Sequence, residues 1–104
     1  MTLLADTPKG YVVAEVEVID AAGFEAYRAA VAPMIERCGG HYMVRGGTIL
    51  AIEGDAPQAR VVIIEFPSLI AAEAFIRSED YRPVAAIRHK TAKSRLYLVE
   101  GTAP

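Results

Sequence analysis

The chain has 104 residues and a formal net charge of −2, which corresponds to one domain of ordinary size. With 53% hydrophobic and 23% charged residues, its composition is that of a globular chain and excludes a disordered one. The acidic balance excludes the basic surface that nucleic-acid binding requires, and no apolar run is long enough to cross a membrane. Cys38 is the only cysteine, so we expect a cytoplasmic protein in which Cys38 is a small buried residue.

The first half of the chain predicts a leader, a strand and a helix. Residues 1–9 have the composition of a loose terminal segment without the features of a signal peptide. Apolar and mixed positions alternate over residues 11–19, which predicts a strand with one apolar face. Asp20 then has the position of a helix N-cap, and Gly39 that of a left-handed helix stop.

The next strand is predicted over residues 41–45, between the pairs Gly39-Gly40 and Gly46-Gly47. Gly46-Gly47 could form a two-residue hairpin turn that leads into another strand over 48–53. It could also form a glycine bulge within one long bent strand, which we favour because an edge strand bends easily there. The choice determines which face His41 and Arg45 occupy, since a shift of one residue reverses every side chain of a strand.

The second half predicts a buried strand, two helical stretches and a last strand. Residues 60–66 are almost continuously apolar, as in a central strand of a sheet. Pro67-Ser68 ends this strand and caps a helix, a second helical stretch starts at 78–80, and the last strand covers 95–100. The order β-α-β-β-α-β predicts an α+β, ferredoxin-like domain over residues 10–101, with an antiparallel sheet and both helices on one face.

Two helices cover one face of such a sheet, so the composition of the other face is informative. That open face would be too apolar to remain in water, and such patches usually mark an interface. We therefore expect a homodimer in which two sheets pack face to face. The residues assigned to the open face are Val13, Glu15, Glu17, Val61, Ile63, Glu65, Tyr97 and Val99.

Glu15 and Glu65 fall on the two central strands of this face. A dimer would partly dehydrate them, and a buried carboxylate without a partner is strongly destabilising. Arg95 and Arg45 are the expected partners, in a ladder of ion pairs that sets the register of the dimer. Alternatively, one glutamate has a raised pKa and acts as an acid or base beside a cavity.

Several short segments together resemble one family: GYVVAEV (10–16), YMVRGG (42–47), EFPS (65–68) and SR (94–95), with Tyr81 in SEDY (78–81). The chain resembles the domain of unknown function 1330 family over about residues 9–101. The resemblance implies the dimeric α/β-barrel superfamily, which includes cofactor-free monooxygenases, haem-degrading or haem-peroxidase enzymes, muconolactone isomerases and ligand-sensing domains. It supplies no catalytic residue, and His41 stands where a basic residue such as arginine would be expected.

The first functional hypothesis is a small cofactor-independent enzyme, an oxygenase or isomerase, acting on a hydrophobic, aromatic or enol-containing metabolite. Arg45 or Arg95 would hold an anionic oxygen, and His41 or Glu65 would move a proton. The pocket would lie between the helices and the sheet near Tyr81, or at the mouth of the barrel. The candidate site residues are His41, Arg45, Glu15, Glu65, Tyr81 and Arg95.

The second hypothesis is a non-catalytic dimeric module that binds a ligand or assists another protein. One strand histidine without a second ligand does not make a zinc or iron site, so no metal is expected. Haem binding is not excluded by this argument, because one histidine suffices as an axial ligand. The expected partners are a second copy of the chain and a small molecule, with neither nucleic acid nor membrane.

Overall fold

The computed structural model describes residues 7–104, and within them it has four strands and three helices in one antiparallel α+β arrangement. The strand order in the sheet is β2-β3-β1-β4, which is the ferredoxin-like order and confirms the predicted fold. Of the predicted leader, residues 1–6 lie outside the described residues. The elements are β1 (Gly10–Val18), α1 (Ala21–Arg37), β2 (His41–Arg45), β3 (Arg60–Phe66), α2 (Leu69–Ile76), α3 (Tyr81–Thr91) and β4 (Ala92–Glu100).

Short polar side chains satisfy backbone donors where the helices begin. The Asp20 carboxylate accepts a hydrogen bond from the Gly23 amide at 3.1 Å, and the Ser68 hydroxyl accepts one from the Ala71 amide at 3.0 Å. The Ser78 hydroxyl accepts from the Tyr81 amide at 3.2 Å before α3. These contacts fix the helix starts that the sequence predicts at positions 20, 68 and 78.

The helices cover one face of the sheet, and the core lies between them. Phe66 and Val12 are fully buried on the central strands, and Phe75 stacks on Phe66 with ring centroids 5.4 Å apart. Gly10 is required where β1 begins, because a Cβ there would lie 2.4 Å from the Ser68 carbonyl oxygen. The strand residues that face this core alternate with those predicted for the open face. They are Val12, Ala14, Val16, Val18, Val62, Ile64, Phe66, Leu96 and Leu98.

No helix covers the open face. Tyr97 and Val99 are each 45% exposed there, and Val13, Val61 and Ile63 are half-buried. This face therefore has the mixed apolar composition that the sequence predicts.

The segment after β2 differs from the prediction. The register between β2 and β3 shifts between Tyr42 and Val44, so the bulge lies at Met43 and not at Gly46-Gly47. β2 ends at Arg45, and Gly46 turns the chain away with a φ of 72° while its amide donates to the Val61 carbonyl at 2.8 Å. The strand predicted over 48–53 is wrong, because residues 47–59 have left the sheet.

We call residues 47–59 the arm. Within residues 7–104, the arm makes no backbone-to-backbone hydrogen bond, and it exposes Leu50 by 77% and Ile52 by 85%. A second correction concerns Cys38, which is exposed at the end of α1 rather than buried, because the apolar stripe of the helix ends at Ile35. None of the helices in the described part of the chain is both long and apolar enough to span a membrane.

Candidate functional site

The bulge at Met43 determines which side chains of β2 face the helices. In a regular strand, residues 42 and 45 would point to opposite faces. Because the bulge adds one residue, Tyr42 lies opposite Ile64 and Arg45 lies opposite Val62, both on the helix side. The Arg45 guanidinium lies over the Tyr42 ring, 4.1 Å from its centroid. The bulge thereby adds an arginine and a tyrosine to the space between the sheet and the helices.

That space contains a cavity of ≈ 50 Å³, bounded by α1, α3 and the helix-facing side of the sheet. Most of its wall is hydrocarbon, including Val12, Val16 and Ile64. No histidine, aspartate or glutamate of residues 7–104 lines it. The polar residues of the wall are three tyrosines and four arginines: Tyr27, Tyr42, Tyr81, Arg28, Arg45, Arg60 and Arg88.

Two tyrosine hydroxyls meet in the cavity wall. The hydroxyl oxygens of Tyr27 and Tyr81 are 2.8 Å apart, so one donates to the other. Burial raises the pKa of Tyr27 above its usual value, and the positive charge of Arg88 opposes this rise only in part. Tyr27 is therefore neutral at physiological pH and can donate a hydrogen bond, whereas it cannot serve as a base.

Arg88 is the most buried charged residue of the wall, with 8% of its surface exposed. One terminal nitrogen donates to the Ser94 hydroxyl, and the other lies 3.4 Å from His89 Nε2. Its Nε is buried and has no hydrogen-bond partner within residues 7–104. Arg88 thus contacts a serine, a histidine and Tyr27 but no carboxylate, with one donor left over.

Arg60, the first residue of β3, has the same property. Its Nε is also buried without a partner in the described part of the chain. Its guanidinium packs against Gly46, where a Cβ would come within 2.7 Å of a terminal nitrogen. A side chain at position 46 would therefore displace Arg60.

The remaining two arginines lie where the cavity meets solvent. Arg28 forms a surface ion pair with Glu25 at 2.9 Å, and Arg45 is exposed. Burial raises the pKa of Tyr42, and the charges of Arg45, Arg28 and Arg60 oppose that rise. The three guanidinium charges therefore create a positive potential around the Tyr42 hydroxyl.

The other predicted site residues lie on the open face. Arg95 forms an ion pair with Glu15 at 2.6 Å, which raises the pKa of Arg95, and the Tyr11 hydroxyl donates to Glu65 at 3.0 Å. That hydrogen bond raises the pKa of Tyr11. His41 is exposed and lies opposite Glu65 in the β2–β3 register.

The six predicted residues are therefore divided between two sides of the sheet. Arg45 and Tyr81 line the cavity, whereas Glu15, Glu65, His41 and Arg95 do not. The expected pairing of Arg95 with a sheet glutamate is present. Pairing of Arg45 with Glu15 or Glu65 is absent within residues 7–104, because the bulge directs Arg45 to the opposite face.

Sequence reasoning missed five polar residues of the wall, and two of them carried a readable signal. Arg88 follows Tyr81 by seven residues, so it lies in the same helical stripe and interrupts an apolar face. Arg60 has the two-residue phase of Val62 and Ile64, which places its side chain on the core side of β3. The other three, Tyr27, Tyr42 and Arg28, could not be distinguished from packing or surface residues.

The sheet order and the one-sided helices define a ferredoxin-like α+β protein. The chain belongs to the family described as domain of unknown function DUF1330, whose model matches residues 9–102. No curated protein matches it.

Three solved structures illustrate this fold. A protein of unknown function from Rhodopseudomonas palustris, RPA0582, is 25% identical, with 93% of this chain and 85% of that chain covered and a TM-score of 0.70. SnoaB, a cofactor-independent oxygenase from Streptomyces nogalater, is 19% identical, with 94% and 97% covered and a TM-score of 0.67. A protein from Bacteriodes thetaiotaomicron, provisionally named an antibiotic biosynthesis monooxygenase, is 15% identical, with 94% and 90% covered and a TM-score of 0.53. The last two show the fold alone.

Proposed function

We propose that this protein is a cofactor-independent enzyme, an oxygenase or isomerase, that acts on a small hydrophobic or aromatic metabolite bearing an enol or phenol. The observation that carries the proposal is the Tyr27–Tyr81 hydroxyl pair in the wall of a largely apolar cavity. Ligand sites commonly combine apolar walls with a few convergent polar groups in this way. The fold likeness to a cofactor-independent oxygenase supports the proposal by analogy.

The chemistry follows from what the cavity can and cannot supply. Neutral hydroxyls and arginines stabilise an oxygen that gains negative charge during a reaction. Because no carboxylate or histidine among the described residues lines the cavity, the substrate must be acidic enough to release its proton to solvent water. Neighbouring positive charge lowers the pKa of an enol or phenol and so favours this release.

Two reactions are open to such an anion. In an isomerase, the proton returns to a different atom of the substrate. In an oxygenase, a substrate CH₂ group and dioxygen give a carbonyl group and water, and the four electrons come from the substrate carbon. Neither reaction consumes an external reductant.

The absence of a base from the described part of the wall favours a second candidate, a non-catalytic module that binds the same kind of ligand. Both candidates predict binding in the cavity, and only the enzyme predicts turnover. A single compound can therefore distinguish them.

Phenylpyruvate is a suitable probe, because it is aromatic and interconverts between keto and enol forms. We expect the wild-type protein to accelerate loss of the enol absorbance or to consume dioxygen in an oxygen electrode. Tyr81→Phe removes one hydroxyl of the pair and should lower the rate at least about tenfold, in line with the loss of one oxyanion donor. Tyr97→Phe, on the open face, is the matched control and should retain full activity.

The outcomes separate the candidates. Binding of phenylpyruvate at the tyrosine pair without either reaction supports the binding module. Equal rates for wild type and Tyr81→Phe contradict a role of the hydroxyl pair in catalysis.

We further propose that the protein is a homodimer that buries the open face of its sheet. The support is the exposure of Tyr97 and Val99 beside half-buried Val13, Val61 and Ile63, an apolar patch that usually marks an interface. The cavity lies on the opposite side of the sheet, so each protomer would carry its own cavity.

We propose no resident cofactor. His41, the strand histidine that the sequence offers as an axial haem ligand, lies on the open face, away from the cavity. A haem titration of the wild-type protein that leaves the Soret band at the position of free haem would support this. The lone Cys38 is compatible with the reducing cytoplasm that we propose as the location.

A further inference from the structure

Positive charge is concentrated in the cavity wall without a counter-charge. Four arginines line the cavity, and none of its described lining residues is acidic, although the chain as a whole has a net charge of −2. Like charges that converge on one space repel each other and destabilise the fold. Arg28 is relieved by its surface pair with Glu25, whereas Arg45, Arg60 and Arg88 have no carboxylate within ion-pair distance among residues 7–104.

Arg88 is the strongest observation within this set. A guanidinium that is more than nine-tenths buried normally has a carboxylate partner, because burial removes the water that would stabilise its charge. Arg88 contacts the Ser94 hydroxyl, the His89 ring and Tyr27 but no carboxylate, and its Nε donor is unsatisfied within the described residues. A buried donor without an acceptor in the chain is satisfied from outside it, by water or by a ligand.

The second unsatisfied donor lies at the same level of the sheet. Arg60 on β3 and Ser94 on β4 are both direct cross-strand neighbours of Val16 on β1. The Val16 side chain is buried on the helix side, so Arg60 and the Arg88 partner Ser94 share that side. Arg60 reaches its position because Gly46 has no side chain. Two buried Nε donors thus belong to one end of one cavity.

We infer that the ligand of this cavity is an organic anion whose carboxylate or enolate oxygens accept hydrogen bonds from Arg88 and Arg60. This inference deepens the proposed function and rests on it, since it assigns the charge of the ligand that the tyrosine pair contacts. Guanidinium groups bind planar carboxylates with particular strength and geometry. The volume of ≈ 50 Å³ accommodates the anionic group, and the body of the ligand extends past Tyr42 to the mouth at Arg28 and Arg45.

Benzoate and benzamide test the inference, because they are alike in size and shape and differ in charge. The Arg Nε–H signals are followed by ¹H–¹⁵N NMR during titration of the full chain with each compound. We expect benzoate to shift the Arg88 and Arg60 signals and to bind at least about tenfold more tightly than benzamide, as charge-assisted hydrogen bonds are the stronger ones. The Arg95 signal, from the open-face ion pair, serves as an internal control and should not move.

Arg88→Met retains the length of the side chain and removes the charge. It should reduce the ratio of benzoate to benzamide affinity to about one, and Arg60→Met should reduce it in part. Arg95→Met is the matched control and should keep the wild-type ratio. If Arg88→Met does not fold, Arg60→Met and the wild-type titrations still decide the question.

The results separate this inference from the proposed function. Equal binding of benzoate and benzamide in the cavity overturns the anion assignment and leaves a binding site for hydrophobic compounds in place. No shift of the Arg88 and Arg60 signals up to the solubility limit of benzoate overturns the anion site. Phenylpyruvate turnover that is unchanged in Arg88→Met also overturns it, whereas loss of turnover in Tyr81→Phe alone leaves the proposed function standing.

Discussion

The hydroxyl groups of Tyr27 and Tyr81 form a hydrogen bond with each other in the cavity wall. The ionisation of the buried Tyr27 hydroxyl is therefore linked to the stability of the fold. The two hydroxyl oxygens are 2.8 Å apart, and burial raises the pKa of Tyr27 above its ordinary value of 10.0. The folded state therefore holds the Tyr27 proton more tightly than the unfolded state does.

Stability should fall in alkali because of Tyr27. Below about pH 10, folded and unfolded chains both carry this proton, so its contribution does not change with pH. Above that pH, the unfolded chain releases the proton and the folded chain keeps it, which lowers the free energy of unfolding by up to about 1.4 kcal/mol per pH unit. Urea unfolding at neutral pH and at several values above pH 10 measures this slope.

Tyr27→Phe is the control for that experiment, because it removes the hydroxyl and retains the ring. Above pH 10, the free energy of unfolding of this variant should fall less steeply with pH than that of the wild type. The difference should be up to about 1.4 kcal/mol per pH unit, which corresponds to one proton. Identical slopes in the two proteins would show that Tyr27 does not titrate abnormally.

Among the six candidate residues that the sequence suggests, Arg45 and Tyr81 line the cavity, whereas the other four lie on the open face of the sheet. Glu15, Glu65 and Arg95 are conspicuous in the sequence because they are polar residues on apolar strands. Their contacts are with each other and with Tyr11. Arg88 and Arg60 are less conspicuous, because one stands near a basic helix end and the other at a strand boundary.

Among the elements, β2 and the arm that follows it decide the composition of the cavity wall. The strand boundaries of β1 and β3 and the caps of the helices could be read from alternation and from Asp20 and Ser68. The register shift at Met43 could not, because no glycine or proline marks it. The arm could not be recognised either, since a β-branched, apolar stretch predicts a strand wherever a neighbour exists to pair with.

Gly46→Ala should disturb both the backbone and the site. Gly46 has a φ of 72°, which is unfavourable for alanine, and the added Cβ would lie 2.7 Å from the Arg60 guanidinium. We expect a loss of about 1–2 kcal/mol in the free energy of unfolding, measured by urea denaturation. The Arg60 Nε–H signal should also shift in the NMR spectrum of the free protein.

Gly47→Ala is the matched control one residue further along. A Cβ at Gly47 meets no atom of the described chain within 4 Å, and its φ is not in the left-handed region. Its stability should stay within about 0.5 kcal/mol of wild type. Equal losses for the two variants would indicate that the backbone at Gly46 is not constrained and that Arg60 does not depend on it.

For the whole molecule, the architecture is the part that sequence reasoning recovers best. Period-two patterns separate the core face of the sheet from the open face, and the structure confirms this division for β1, β3 and β4. The helices could be placed on one face because connections in this order of elements leave little alternative. Which side of the sheet carries the cavity depends on side-chain packing between distant segments, and alternation along one strand contains no information about that.

Val61→Asp tests the proposed dimer. Val61 is half-buried in the middle of the open face, opposite Glu15, so an added carboxylate would face a second negative charge and its copy across the interface. We expect monomers or aggregates in place of dimers, measured by size-exclusion chromatography with light scattering. Ile70→Asp, on the outer surface of α2 where Ile70 is 79% exposed, should leave the wild-type mass unchanged. A dimer of unchanged mass and affinity in Val61→Asp would exclude the open face as the interface.

The strand order has one further consequence for how the two halves of the chain depend on each other. A single cut in the arm would yield one fragment with β1 and β2 and another with β3 and β4. In the order β2-β3-β1-β4, strands of the two fragments alternate, so neither fragment contains two adjacent strands. Every strand pairing of the sheet would therefore join the two fragments, and neither fragment could form the sheet without the other.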